Sequence, residues 1–217
     1  MSDPDLRDQP PRSPPSLEPD EELPAFRRAE PLPEPAPEPL AGEPEAAPEP
    51  EPEHAAGDLQ VPDGYSVIEG SGDTNGRGVG VVVARFNGDI TRRLLHRALE
   101  ELEEAGIERE AVTIVPVPGA FELPLAAMAL AKTRKCSCIV ALGCVIRGDT
   151  PHFDFVAGEA ASGLQLAAIE TGVPVSFGVL TTETTEQAEA RIDRAGDAVR
   201  SALEMASLFS ELRAAAK

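Results

Sequence analysis

The sequence predicts an α/β protein, on two observations. Four short, β-branched apolar runs alternate with longer segments of helical period, and each run is apolar enough to need cover on both faces. Prolines and negative charge gather ahead of the first run. Residues 1–60 hold 16 of the 22 prolines and 16 acidic against 4 basic side chains, a net of −12 out of the chain's −19. Strands joined by helices of this length must be parallel with right-handed crossovers. The expected architecture is therefore a three-layer sandwich around a four-stranded parallel sheet, flavodoxin-like, preceded by a disordered N-terminal tail.

Residues 1–60 carry no Ile, Val, Tyr or Trp and a single aromatic, Phe26. They cannot bury enough apolar surface to offset the entropy of ordering, so they are expected to be disordered and acidic. The near alternation of Pro and Glu from Pro31 to Pro52 favours extended, charge-stiffened conformers. Residues 61–77 read as a linker that could add an edge strand, and 78–217 as the folded domain. Val79–Ala84 is the first strand. In Ile90–Gly106 the apolar positions 90, 94, 95, 98, 99, 102 and 105 keep the helical period, and Gly106 supplies a stop. Val112–Val117 is the second strand and Glu122–Lys132 its helix. Cys138–Ile146 is the third strand, followed by a helix from about Asp154 to Thr171. Val173–Leu180 is the fourth, and one long helical pattern from about Thr185 to Ala215 closes the chain.

Several classes of function are excluded by composition. A chain with 38 acidic and 19 basic side chains lacks the Lys/Arg excess from which phosphate-backbone binding draws its affinity. The most apolar window, Ala111–Ala131, is interrupted by Pro116, Pro118, Glu122 and Pro124, which argues against a membrane span. The N-terminus has neither the basic and apolar regions of a signal peptide nor the Arg-rich, acid-poor make-up of a transit peptide, so a cytoplasmic location is expected. Cys136, Cys138 and Cys144 are an odd set in a buried strand and its approach; they read as reduced thiols packed as small hydrophobes, and no metal site is expected. No phosphate-cradling G-x-x-x-x-G-K-[ST], no dinucleotide G-x-G-x-x-G after a strand and no G-x-S-x-G elbow is present.

In parallel α/β sheets ligands bind beyond the carboxyl ends of the strands. That marks four loops: Arg85–Asp89, Pro118–Glu122, Arg147–His152 and Thr181–Thr184. The third is the richest. Gly148 permits close backbone approach, Thr150 offers a hydroxyl, and the helix start beyond presents free N–H groups, together an anion seat. His152 stands beside it, and an imidazole with a reference pKa near 6.5 is suited to general acid/base work; the alternative is a helix-entry residue bonded to nearby backbone. In Pro118–Pro124, Gly119 makes a turn and Glu122 favours the positive helix end, while Phe121 could hold a flat heterocycle. Phe86 is either core or a stacking surface. Arg191 and Arg194 are either a solvated face or one arm of a phosphate clamp.

Taken together, Val81–Asn87, Val117–Pro124, Leu142–Asp154 and Phe177–Thr182 with Glu186–Ala188 resemble the lumazine synthase family, in order and at suitable spacing over residues 78–212. Residues 1–60 have no counterpart in that pattern. The resemblance implies condensation of 5-amino-6-(D-ribitylamino)uracil with 3,4-dihydroxy-2-butanone 4-phosphate to 6,7-dimethyl-8-ribityllumazine, the penultimate step of riboflavin biosynthesis, with no metal or organic cofactor. Carried over by position, Phe86 would stack on the pyrimidine, and Ala120, Phe121 and Glu122 would line the ring and ribityl site. Cys144, Val145 and Ile146 would supply backbone contacts. Asp149 and Thr150 would hold the phosphate, His152 would move protons, and Phe177 would close the pocket from a neighbouring subunit. The partners implied are small-molecule substrates, further copies of the chain as a pentamer or sixty-subunit shell, and riboflavin synthase. The family pattern continues with Arg-Ala-Gly and a Gly/Lys/Asn-rich loop before the last helix, whereas here Ala190–Gly196 runs straight into helical sequence. A gap-free match makes Arg191 the phosphate arginine, and a three-residue shift would choose Arg194; the gap-free match is preferred. The absent loop leaves pentamer against shell open.

Overall fold

The structure, a computed structural model, describes residues 61, 64, 66–72, 74 and 76–216. The expected disordered tail, 1–60, lies outside them. The described part of 61–77 contains no strand until Gly78. Four parallel strands follow: β1 (Gly78–Ala84), β2 (Val112–Val117), β3 (Cys136–Ile146) and β4 (Val175–Thr182), in the spatial order β2-β1-β3-β4. They alternate with α1 (Gly88–Glu104), α2 (Leu123–Lys132), α3 (His152–Thr171), α4 (Thr185–Glu189) and α5 (Arg194–Ala215). This is the three-layer sandwich that the alternating pattern predicts.

The continuous apolar runs exist because both sheet faces are covered. Successive residues of a strand point to opposite faces. Val79, Val81 and Val83 of β1, with Cys138, Val140, Leu142 and Cys144 of β3, pack with Leu94 and Leu102 of α1 and Val199 and Leu203 of α5. Val82 and Ala84, with Ile139, Ala141 and Val145, face the other way onto Leu123 and Ala127 of α2 and Ala160 and Leu164 of α3, and Cys136 joins them because the β1–β3 register shifts by a residue between Gly78 and Val79. The chain leaves β1 for β2 on one side and returns to β3 on the other. The carboxyl ends of β1 and β3 therefore flank the point where connections diverge, the usual ligand position in such sheets.

The ends of several elements differ from the sequence expectation. β4 starts two residues late, because Pro174 has no N–H to give the ladder and contributes only its carbonyl, which accepts from Ile139 N–H at 2.8 Å. It ends two residues late because β3 is long enough to pair with Thr181 and Thr182. The expected single helix over 185–215 is instead α4 and α5 with a turn at 190–193, where Arg191, Arg194 and Ala195 donate to carbonyls three residues back. With the turn, Ala188 of α4 and Ala195 of α5 are both buried.

Candidate active site

A cleft of about 590 Å³ opens at the carboxyl ends of β1, β2 and β3, walled by the first turns of α3. Three backbone features build it. Asn87 takes the left-handed conformation (φ 57°) just before α1, and its side-chain amide donates to the Cys144 carbonyl at 2.9 Å instead of capping the helix. That bond ties the loop after β1 to the end of β3 and leaves Phe86 turned outward, 71% exposed. Arg85 and Phe86 N–H groups donate to the carbonyls of Val117 and Pro118, which holds the first loop against the second. In the second loop, Glu122 Oε2 accepts from Gly119 N–H at 2.9 Å, closing a turn that brings Ala120 and Phe121 to the cleft.

The third loop leaves β3 at Arg147 and enters α3 at His152. No side chain caps α3, and Pro151 precedes its first residue; its carbonyl accepts from Asp154 N–H at 3.0 Å, which leaves His152 and Phe153 as the first-turn residues whose N–H groups have no capping side chain, next to Gly148 and Thr150 in the chain. Asp154, in that first turn, is held below the usual carboxylate range by the Arg147 guanidinium. Cys144 lines the cleft floor, where burial pushes its thiol up to about 11 and keeps it protonated near neutral pH.

Nine of the twelve expected site residues line this one cleft: Phe86, Ala120, Phe121, Glu122, Cys144, Val145, Ile146, Thr150 and His152. The other three do not line it within a single chain. Asp149 is exposed on the rim between Gly148 and Thr150. Phe177 belongs to a separate cleft of about 280 Å³ between β4 and α5. Arg191 sits in the α4–α5 turn, where its Nη1 donates to the Gln187 carbonyl at 2.9 Å. Arg194 also lines the β4–α5 cleft and pairs with Asp197 at 3.3 Å. Sequence reasoning missed Asn87, Phe153, Phe155 and Val156 as wall residues. Asn87 carried a signal, since Asn-Gly is a dipeptide that favours left-handed backbone; the other three are ordinary helix hydrophobes until α3 is placed. Among the described residues no group of three or more His, Cys, Asp or Glu is arranged to hold a metal ion, and no helix is long and apolar enough to cross a membrane.

Residues 76–210 match the family described as 6,7-dimethyl-8-ribityllumazine synthase. The chain belongs to that family. It is also similar to the 6,7-dimethyl-8-ribityllumazine synthase of Nitratidesulfovibrio vulgaris (strain DSM 19637 / Miyazaki F), with 52% identity over 129 residues, 59% of this chain and 81% of that one. Membership in the lumazine synthase family sets the chemistry as a transferase reaction of riboflavin biosynthesis, in which a ribitylaminouracil diamine condenses with a four-carbon dihydroxyketone phosphate. The cleft brings Phe86 and Phe121 together with Gly148, Thr150 and His152.

Proposed function

We propose that the two substrates of this lumazine synthase reaction divide the cleft, with the pyrimidine against Phe86, Phe121 and the ends of β2 and β3, and the phosphate at Gly148–Thr150. The observation that carries this is the convergence of the three loops on one cleft, with Phe86 and Phe121 supplied by the loops after β1 and β2, and Gly148, Thr150 and the uncapped start of α3 by the third. The 5-amino group of the pyrimidine attacks the ketone and loses water to give an imine. Removal of the C3 proton then expels phosphate from C4, and the enol that remains becomes a ketone. The ribitylamino nitrogen attacks that ketone and loses a second water, which closes the ring. The substrate brings its own nucleophiles, so the protein has to align reactants and move protons. His152 is the one imidazole among the cleft residues, and we assign it the proton transfers. Thr150 and the α3 N–H groups hold the phosphate, with Asp149 at its rim; Ala120, Glu122 and the backbone of Cys144, Val145 and Ile146 hold the pyrimidine and ribityl chain.

None of the cleft-lining residues is Arg or Lys, yet a phosphate dianion calls for a cation. Arg191 fits that role better than Arg194, whose guanidinium is paired with Asp197. Arg191 and Phe177 both lie away from their own cleft, and Phe86, Phe121, Leu125, Phe155, Leu166 and Ile169 are exposed. Together these features support a homo-oligomer in which a neighbouring copy completes each site with Phe177 and Arg191. Pentamer and sixty-subunit shell are the two assemblies proposed, with riboflavin synthase as an associated partner. The free thiols support a reducing, cytoplasmic location. The assay is direct. Protein mixed with both substrates should generate the lumazine chromophore, and His152→Ala should slow turnover ~10²-fold or more. A wild-type protein that fails to turn over, or a His152→Ala variant at full rate, would sink the assignment.

A further inference from the structure

We propose that Arg147 is a positioning residue whose guanidinium staples the Gly148–His152 loop to α3 and to the β4–α4 connection, and so sets the phosphate seat and the imidazole relative to each other. The proposal rests on the roles assigned above to Thr150 and His152. Among the described residues the loop's backbone is tied near its ends, where Arg147 N–H donates to the Thr182 carbonyl at 2.9 Å and Asp154 N–H to the Pro151 carbonyl at 3.0 Å. Between them Gly148, Asp149 and Thr150 are exposed. The Arg147 side chain adds the remaining ties. Nη1 and Nη2 grip the two oxygens of Asp154 at 3.2 and 2.9 Å, a bidentate pair that closes the loop onto the first turn of α3. Nε reaches Glu183, just past β4, with its oxygens at 3.0 and 2.9 Å. The guanidinium lies 4.1 Å from the centroid of Phe153, itself a wall of the cleft.

Two carboxylates take up three of the five N–H donors of Arg147 and offset its charge, a ring stands beside it, and its side chain does not line the cleft, so its role is to hold the seat rather than to bind the phosphate. Surface ion pairs add little to folding stability, and the effect falls on geometry. Displacing a reacting group by about 1 Å can cost ~10²-fold in rate. A lysine ammonium keeps the charge but has no planar fork to span both carboxylates and stack on the ring.

The test compares wild type with Arg147→Ala and Arg147→Lys in steady-state turnover, varying each substrate separately and adding inorganic phosphate as a competitor. The expected result for Arg147→Ala is a KM for the butanone phosphate and a Ki for inorganic phosphate raised about tenfold, with kcat lowered ~10- to 100-fold. The KM for the pyrimidine should stay within about twofold, the melting temperature should be near wild type, and Lys should restore only part of the loss. If the alanine variant does not fold, Arg147→Lys carries the same test. An unchanged Ki and kcat, or an equal rise of both KM values, overturns the staple. Thr150→Ala separates the two layers of the reasoning. If it weakens phosphate inhibition and the Arg147 variants do not, the staple alone is wrong; if it leaves phosphate inhibition intact, the seat itself is misassigned and the staple falls with it.

Discussion

Two glycines of α3 make the packing of the cleft walls measurable. A Cβ added at Gly163 would stand 2.6 and 2.7 Å from Cβ and Cγ of Pro124, whereas a Cβ at Gly158, in the same helix, would meet nothing within 4 Å. Pro124 is a rigid ring at the start of α2, so it cannot rotate out of the way, and the two helices must separate. Overpacking of that kind costs about 1–3 kcal/mol, and replacing a helical glycine by alanine returns about 1 kcal/mol. Gly163→Ala should therefore lose about 0–2 kcal/mol, while Gly158→Ala should gain about 1 kcal/mol. The helix term is common to both, so the gap between the two variants is the clash alone, about 1–3 kcal/mol. Thermal or urea unfolding at one fixed protein concentration reads it, at roughly 2–4 °C per kcal/mol for a chain of this size. The function should follow, because α2 begins just after the Gly119–Glu122 turn and α3 begins at His152. Separating them moves two walls of the cleft, and kcat/KM should fall in Gly163→Ala but not in Gly158→Ala. Equal stability of the two variants would refute the close α2–α3 contact.

Phe86→Ala should raise the KM for the pyrimidine about tenfold, the loss of one stacking contact of ~1–1.5 kcal/mol, with the KM for the phosphate substrate unchanged; initial rates with each substrate varied check this. Native protein should resist alkylation by iodoacetamide at pH 8, with mass spectrometry finding all three cysteines modified only after unfolding, because burial raises the thiol pKa of Cys136, pushes that of Cys144 up to about 11 and that of Cys138 up to about 12. The same shifts fix a sign for stability. The folded thiol pKa lies above the unfolded value, so the contribution of these groups is full below about pH 8.5 and declines as pH rises beyond it, which alkaline urea titrations would detect. Deleting residues 1–60 should leave turnover within a few-fold of wild type, because the family match begins only at residue 76; light scattering of full-length and truncated protein would report any effect on assembly.

The strand runs could be found in the sequence because burial on both faces removes the need for polar residues, and a stretch such as Val79–Ala84 then has no other stable use. The loops were legible for a related reason. Arg147–Asp154 combines a glycine, a hydroxyl, a histidine and a helix start within a few residues, a density of polar function that a structural turn does not require. Glu122 shows the limit of such a reading, since its carboxylate both closes the turn through Gly119 and faces the cleft, and no spacing rule separates the two uses. The break at 190–193 was invisible because the helical period continues across it, and the turn shows only in the backbone bonds of Arg191, Arg194 and Ala195 to carbonyls three residues back.

By itself the sequence determined the layer order, the four loops and the family, because each depends on local patterns a few residues long. The tertiary structure decided which of those loops share a cleft. It tied Asn87 to the Cys144 carbonyl across 57 positions of sequence and Arg147 to Glu183 across 36. It also set Phe177 and Arg191 outside the cleft of their own chain. Distances between loops depend on how the strands order and how the helices pack beneath them, and that information is spread over the whole core.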